Sequence, residues 1–449
     1  MPIKIQLDAL QKNIENAFTQ QNSGAKLVQQ MTKGVDSLIV QAWQALAPNA
    51  ALRADLVAVG GYGRGDLAPR SDWDLSILLP KGSHADLEDE IALFLRSLWD
   101  AGGKVAASTR NINQTIESMQ EDVNTATAAL ESRLLAGNGN EFKQYEKKIR
   151  RYFRRRRKSF VEEKLEEMHT RHKKNGNTAF LMEPDIKENR GGLRDIHSVF
   201  WIARAWYDEQ SIAGLQQRGA ISKRECAHLL TAQDFLWRCR TFMHLQSRRG
   251  SDRLSFEMQA MLAEAMGYDQ TGGRPMVELF MKDFFRHSGR IARVSSLLMM
   301  HFQEQLQPKV FSMVWPLDNG FSLHAQRVSI QHKNVFQERP LRLLEIFHVA
   351  QQDKRHLSST ALRQVRADVM LINDDFRANP EAKNIFLAIL RDPRNVATAL
   401  REMNDTGVLG RFVPLFRHTV GLGQFNRYHA YTVDEHTLRA IAEARLFFH

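Results

Sequence analysis

Two aspartates one residue apart, Asp72 and Asp74, are the residues best placed to do chemistry in this chain. They open an apolar run, Leu75–Leu79, that reads as a buried strand. Side chains i and i+2 of a strand share a face, roughly 7 Å apart along the chain. The spacing therefore sets two carboxylates side by side and turns Trp73 and Leu75 the other way. Such a pair repels unless a cation lies against it. Oxygen donors on a rigid strand suit Mg²⁺, which takes one or two carboxylates together with substrate phosphates. Upstream, Leu56–Val59 reads as another buried strand, followed by Gly60, Gly61, Gly63 and Gly65. Glycines at such a turn let backbone N–H groups approach phosphates with no Cβ in the way. No Gly-Lys-Ser/Thr ending follows, so this is not a P-loop. The local reading is a metal–nucleoside triphosphate site in a loop between two strands.

The string GGYGRGDLAPRSDWDL, with its glycine pair, spacer and Asp-x-Asp, resembles the nucleotidyltransferase superfamily that includes DNA polymerase β. It is more similar still to the bacterial PII-protein uridylyltransferase/uridylyl-removing enzymes. The segment Asn177–Trp206, NTAFLMEPDIKENRGGLRDIHSVFWIARAW, resembles the same family, as do helical stretches up to residue 415. The resemblance implies an α+β protein. A small mixed-sheet, polymerase-β-like domain would occupy 51–140, after an N-terminal helical segment over 1–50. A large all-helical domain would fill 141–415, and the start of an HD phosphohydrolase domain 416–449. It also implies transfer of UMP from UTP to a tyrosine of a PII nitrogen-signalling protein, with release of pyrophosphate. Asp72 and Asp74 would be the catalytic, Mg²⁺-holding pair. Gly60, Gly61, Arg64, Ser71, Lys187 and Arg194 would bind the nucleotide.

Two features depart from the family pattern. A third carboxylate is expected on the strand at 105–110, but KVAASTR has none; Asp100, Glu117 and Asp122 lie nearby in sequence. The HD domain needs a His, a His-Asp pair and a distant Asp, and only a first ligand, His436, is in view before the chain stops. The chain thus reads as the front part of a longer enzyme with an incomplete hydrolase site. Two alternatives stay open: a catalytically inactive PII-binding protein, or an RNA nucleotidyltransferase.

The elements that must position these residues follow from pattern. Leu27, Met31, Val35, Leu38, Ile39 and Trp43 recur at helical spacing, and Pro48 marks a boundary before the first strand. Residues 86–99 read as a helix, 105–110 as a strand, and EDVNTATAALESRLLAGN as a helix stopped at Gly137. Gly191-Gly192 reads as a flexible approach to a helix beginning at Leu193. Residues 201–415 read as nearly all helical, with strand signals at Lys309–Val314 and Arg327–Gln331.

The chain has 449 residues, a net charge of +11 and two cysteines, Cys226 and Cys239. Two cysteines build no disulfide framework, and no apolar signal core or 18-residue apolar run occurs, so a cytoplasmic setting without membrane partners is expected. Much of the charge sits in KKIRRYFRRRRK, residues 147–158, followed at once by Glu162, Glu163, Glu166 and Glu167. Mixed signs along a helix mark a solvated face, so nucleic acid is not the expected partner.

Overall fold

The computed structural model describes residues 2–82, 85–209, 211–247, 249–270, 273–306, 314–422 and 431–446. The chain forms two compact units, one of Met1–Asn175 with Asp185–Asp269, the other of Gly176–Pro184 with Gln270–His449.

The first unit holds a four-stranded mixed sheet. Its strands are β1 (Asp55–Ala58), β2 (Trp73–Leu79), β3 (Val105–Asn111) and β4 (Arg133–Ala136), in the spatial order β3-β2-β1-β4. β1 runs antiparallel to both neighbours, while β2 and β3 are parallel, with Trp73 opposite Val105 and Asp74 opposite Ala106. β1 and the middle of β2 are buried, so both read as continuous apolar runs rather than alternating ones. Helices cover the sheet. Gly24–Leu46 buries Leu27, Met31, Val35, Ile39 and Trp43. Pro48 does not simply break the chain; it occupies the first turn of a short helix, Pro48–Arg53, where its missing N–H costs nothing.

β4 corrects the sequence reading. The helix expected to run to Gly137 ends at Leu130, and Arg133–Ala136 then pair with β1. Leu134 and Leu135 suit either state, and the vacant edge of β1 decides. Beyond it begins the 35-residue helix Asn140–Lys174, whose inner face buries Tyr145, Ile149, Phe153 and Phe160. Phe153 is buried, and the half-buried Tyr152 donates its hydroxyl to the Met119 carbonyl at 2.8 Å with Arg156 over its ring. This helix has no side-chain cap of its own. Asp55, the first residue of β1, supplies one across the fold: Oδ1 accepts from Gly139 N–H and Oδ2 from Phe142 N–H, both at 2.8 Å.

The second unit is mainly helical. Its longest helix is Met276–Leu306. It also contains a three-stranded antiparallel sheet, β5 (Trp315–Pro316), β6 (Phe321–His324) and β7 (Arg327–Ile330), so 201–415 is less uniformly helical than its pattern suggests. β7 matches the strand signal at 327–331; of Lys309–Val314, residues 309–313 lie outside the described residues. Phe321, Val328, Phe336, Phe347, Leu400 and Met403 share this unit's core. Among the described residues, no helix is long and apolar enough to cross a membrane.

Asp55→Ala leaves two buried N–H groups of the long helix without their carboxylate. The expected loss is about 3 kcal/mol of stability, read as a lower urea midpoint for the first unit's transition.

Candidate functional site

The turn between β1 and β2, with the start of β2, lines a cavity of about 490 Å³ in the first unit. The glycine-rich stretch is not an open turn: Gly60–Arg64 make a short helix that ends on left-handed Gly65. Gly60 has φ +58, and a Cβ there would stand 3.2 Å from Asp74 Oδ2. Glycine therefore lets the helix start directly against the carboxylate. Asp72 immediately precedes β2 and is exposed; Asp74 is half-buried; Trp73 between them is buried on the other side. Both acids line the cavity, as do Gly60, Gly61, Arg64, Ser71, Lys187 and Arg194. All eight nucleotide-site residues named from the sequence are thus gathered at one place.

The last two come from residues 185–195, a locked loop and the first turn of the helix Leu193–Tyr207. Asp185 Oδ1 accepts from the N–H groups of Lys187 and Glu188, and Asn189 Oδ1 accepts from Asp185 N–H at 2.7 Å. Gly191 N–H donates to Asp195 Oδ2 at 2.8 Å; Asp195 is itself held by Arg171 and His172. A Cβ on Gly192 would meet the Lys187 carbonyl oxygen at 2.7 Å. The glycine pair therefore permits close packing and is not the flexible approach its composition suggested.

Charge pairing separates the acids of the cavity into two groups. Arg64 is ion-paired with both Asp66 and Glu131, and its Nη2 lies 3.3 Å from His197 Nδ1. Its cationic charge is therefore shared with two carboxylates, unlike the free phosphate-facing cation expected. Arg240 holds Asp252 at 2.8 Å, Arg194 holds Glu188 at 3.0 Å, and Lys164 holds Glu167 at 3.0 Å. Among the described residues, only Asp72 and Asp74 of the cavity's acids make no ion pair. Burial, and then the charge of Asp72, push the Asp74 carboxyl above the ordinary carboxylate range, with Lys187 acting in the opposite sense. Burial likewise lowers Lys187, helped by the neighbouring Arg240 and Arg194. Burial and then Arg64 hold His197 down to about 3, so it stays neutral.

Several lining residues went unnamed in the sequence reading. Lys164 is buried, its Nζ 4.5 Å from the centre of the Trp201 ring. It sits four residues beyond Phe160 on the helix's apolar stripe, a position that marks it as inward-facing. Arg240 and His244 continue the stripe of Leu236 at the same spacing. Lys104 and Arg70 also line the cavity and make no ion pair among the described residues; Lys104 Nζ donates to the Arg249 carbonyl at 2.6 Å. Lys104 and Asp72 each lie one residue before the first pair of the β2–β3 ladder, and Trp73 N–H donates to the Lys104 carbonyl at 2.7 Å. Asp100, Glu117 and Asp122 do not line the cavity; Asp122 caps the helix Val123–Leu130. Ser71 Oγ accepts from Ala68 N–H at 3.0 Å and holds the turn before Asp72. In the second unit, His436 is exposed on the helix Val433–Leu446, and no group of three His, Cys, Asp or Glu able to hold a metal occurs among the described residues.

Comparison with known proteins adds two matches to family models. Residues 159–299 match one described as GlnD PII-uridylyltransferase, and residues 321–412 one described as the uridylyltransferase GlnD third domain. A curated relative from Hydrogenovibrio crunogenus, named bifunctional uridylyltransferase/uridylyl-removing enzyme, is 36% identical over 434 residues. That alignment covers 94% of this chain and 48% of the relative, so the chain spans about half the relative's length.

The raised Asp74 carboxyl, pushed up by burial and then by Asp72, gives the site a pH signature. A carboxyl whose folded pKa is raised binds its proton more tightly when folded, so its stabilising contribution is present below the unfolded value and is lost as pH rises through the folded one. Asp74→Asn is therefore expected to raise the thermal midpoint of the metal-free protein at neutral pH. The gain should shrink as pH falls through the raised folded value and be gone below about 4. A gain that is independent of pH would contradict the assigned cause.

Proposed function

The chain belongs to the GlnD PII-uridylyltransferase family, and we propose that its first unit transfers UMP from UTP to a tyrosine hydroxyl of a PII signalling protein. The observation that carries this reading is the pair Asp72 and Asp74, acids without an ion pair among the described residues in a cavity whose other acids are matched by basic side chains. Two adjacent oxygen donors with a mutual repulsion fit a divalent, oxygen-seeking cation such as Mg²⁺, and Asp72 and Asp74 are the residues that would hold it. Bound there, Mg²⁺ supplies Lewis-acid polarisation of the α-phosphate and favours the ionised form of the attacking hydroxyl.

The chain's own residues do the rest. Gly60 and Gly61 bring the backbone close to the triphosphate. Lys187 approaches from the locked loop, and Lys104 and Arg70 offer charge that no carboxylate among the described residues shares. Arg64 serves as the anchor of Asp66 and Glu131, holding the short helix against the strand beyond it. In the reaction the tyrosine oxygen forms a bond to the α-phosphorus. The bond from that phosphorus to the α,β-bridging oxygen breaks, pyrophosphate departs with the electron pair, and the phenolic proton is released to water. The half-buried setting of Asp74 strengthens each of these charge interactions relative to open water. His436 is our candidate for the first ligand of an HD phosphohydrolase site, in line with the uridylyl-removing activity in the relative's name.

Incubation of the chain with labelled UTP, PII and Mg²⁺ tests the proposal, with ATP, CTP and RNA as competing substrates. Asp72→Asn and Asp74→Asn should each lower labelling of PII by about 10²-fold or more, with the circular dichroism spectrum unchanged. Label appearing on RNA instead would replace the acceptor, and full transfer by either variant would remove the aspartates from the mechanism.

A further inference from the structure

β3 is an outer strand of the first unit's sheet, and its far side is unpaired among the described residues. In a parallel ladder, alternate residues direct their backbone groups at the neighbouring strand. The bond from Trp73 N–H to the Lys104 carbonyl fixes which ones do so here: Lys104, Ala106 and Ser108 face β2. Val105, Ala107 and Thr109 therefore point outward. The Val105 carbonyl accordingly accepts from the Trp99 indole N–H at 3.1 Å. Ala107 and Thr109 are exposed, and their backbone groups have no partner among the described residues.

Sheet edges left bare invite pairing with another chain, and proteins ordinarily blunt them with prolines, bulges, charges or a covering element. From Val105 to Thr109 this edge has no proline, no charge and no bulge. Trp99, at its start, is 51% exposed, an aromatic of the kind that anchors interfaces. The edge is also in register with the acids. Asp74 lies opposite Ala106, so the two side chains share a face.

We infer that the open edge of β3 is where the acceptor protein docks, its tyrosine-bearing segment adding to the sheet as a fifth strand. This rests on the uridylyl-transfer reading above. Main-chain bonds to Ala107 and Thr109 would hold the segment, and Trp99 would pack beside it. An added strand stands about 10 Å from β2, two strand spacings away. Only the methyl group of Ala106 then intervenes between its cavity-side residues and Asp74. That gap suits a long, rigid side chain ending in a hydroxyl, which is what a tyrosine offers and a serine does not.

The test combines substitution with amide exchange on the full chain. Ala107→Pro and Thr109→Pro each delete one outward N–H and spare the ladder to β2. Each should raise the KM for PII by about tenfold or more, with calorimetric binding of Mg²⁺–UTP unchanged. Ala106→Leu should lower kcat for PII with UTP binding intact. In the unaltered chain, PII should slow hydrogen exchange at the Ala107 and Thr109 amides, a readout that does not depend on the proline variants folding. A wild type that labels PII, with no exchange protection on β3 and an unchanged KM in the proline variants, overturns the docking inference. A wild type that transfers no label from UTP overturns the reading beneath it, while exchange protection still reports on the edge.

Discussion

Two negative charges held on one strand face, with no cation among the described side chains to pair with them, set the terms for this site. The period of a strand sets Asp72 and Asp74 on the same side, and the Gly60–Arg64 helix starts directly against the Asp74 carboxylate. A protein has many ways to quench such a pair, and this cavity shows several being used on other acids. Arginines take Asp66, Glu131, Glu188 and Asp252; a lysine takes Glu167. Leaving two adjacent acids outside that scheme costs stability through the raised Asp74 pKa. A cost concentrated on one pair, in a cavity, is the mark of a functional arrangement more than of a structural one.

The paired acids have a different task. Arg64 joins the short glycine helix to Glu131 at the end of Val123–Leu130, and to His197 on the helix that follows the locked loop. Three segments far apart in sequence thus meet on one guanidinium. A buried cluster of this kind is weak as a source of stability but strong as a device for fixing register, because any sliding of one segment leaves a charge unmatched in a dry setting. Asp195, with Arg171 and His172, does the same for the loop that presents Lys187. The neutral state of His197 fits this scheme, since a further cation beside Arg64 would oppose the pairing.

What was legible in the sequence was whatever is decided within a few residues. The strand period placed Asp72 and Asp74 together, and the helical stripe from Leu27 to Trp43 gave the covering helix. The β4 segment was not legible, because Leu134 and Leu135 suit a helix or a strand equally and only the edge of β1 selects between them. Arg64 was visible as a cation near the site, but its partners lie 2 and 67 residues away, and nothing local discloses the second. The flexible reading of Gly191-Gly192 failed for a similar reason: glycine composition signals either freedom or tight packing, and the Lys187 carbonyl that decides the matter is four to five residues back. Lys164 and Arg240 carried a usable signal, each being a basic residue on an otherwise apolar stripe.

Counting charge by whether it is already shared changes which residues matter for a polyanion. Arg64, Arg194, Arg240 and Lys164 make the cavity look strongly basic, yet each is held by a carboxylate and offers a substrate little net attraction. Among the described residues, the unshared cations of the cavity are Lys104 and Arg70, and both flank Asp72, one just before the next strand and one two residues upstream. A third acid beside Asp72 would add to the repulsion there and demand more cationic charge from the solvent. Lys104 in that place brings positive charge instead, fixed by its bond to the Arg249 carbonyl at the end of the strand that forms the open edge of the sheet. The unpaired acids, the unshared cations and the unpaired strand edge, as seen among the described residues, therefore fall in or just before two neighbouring strands.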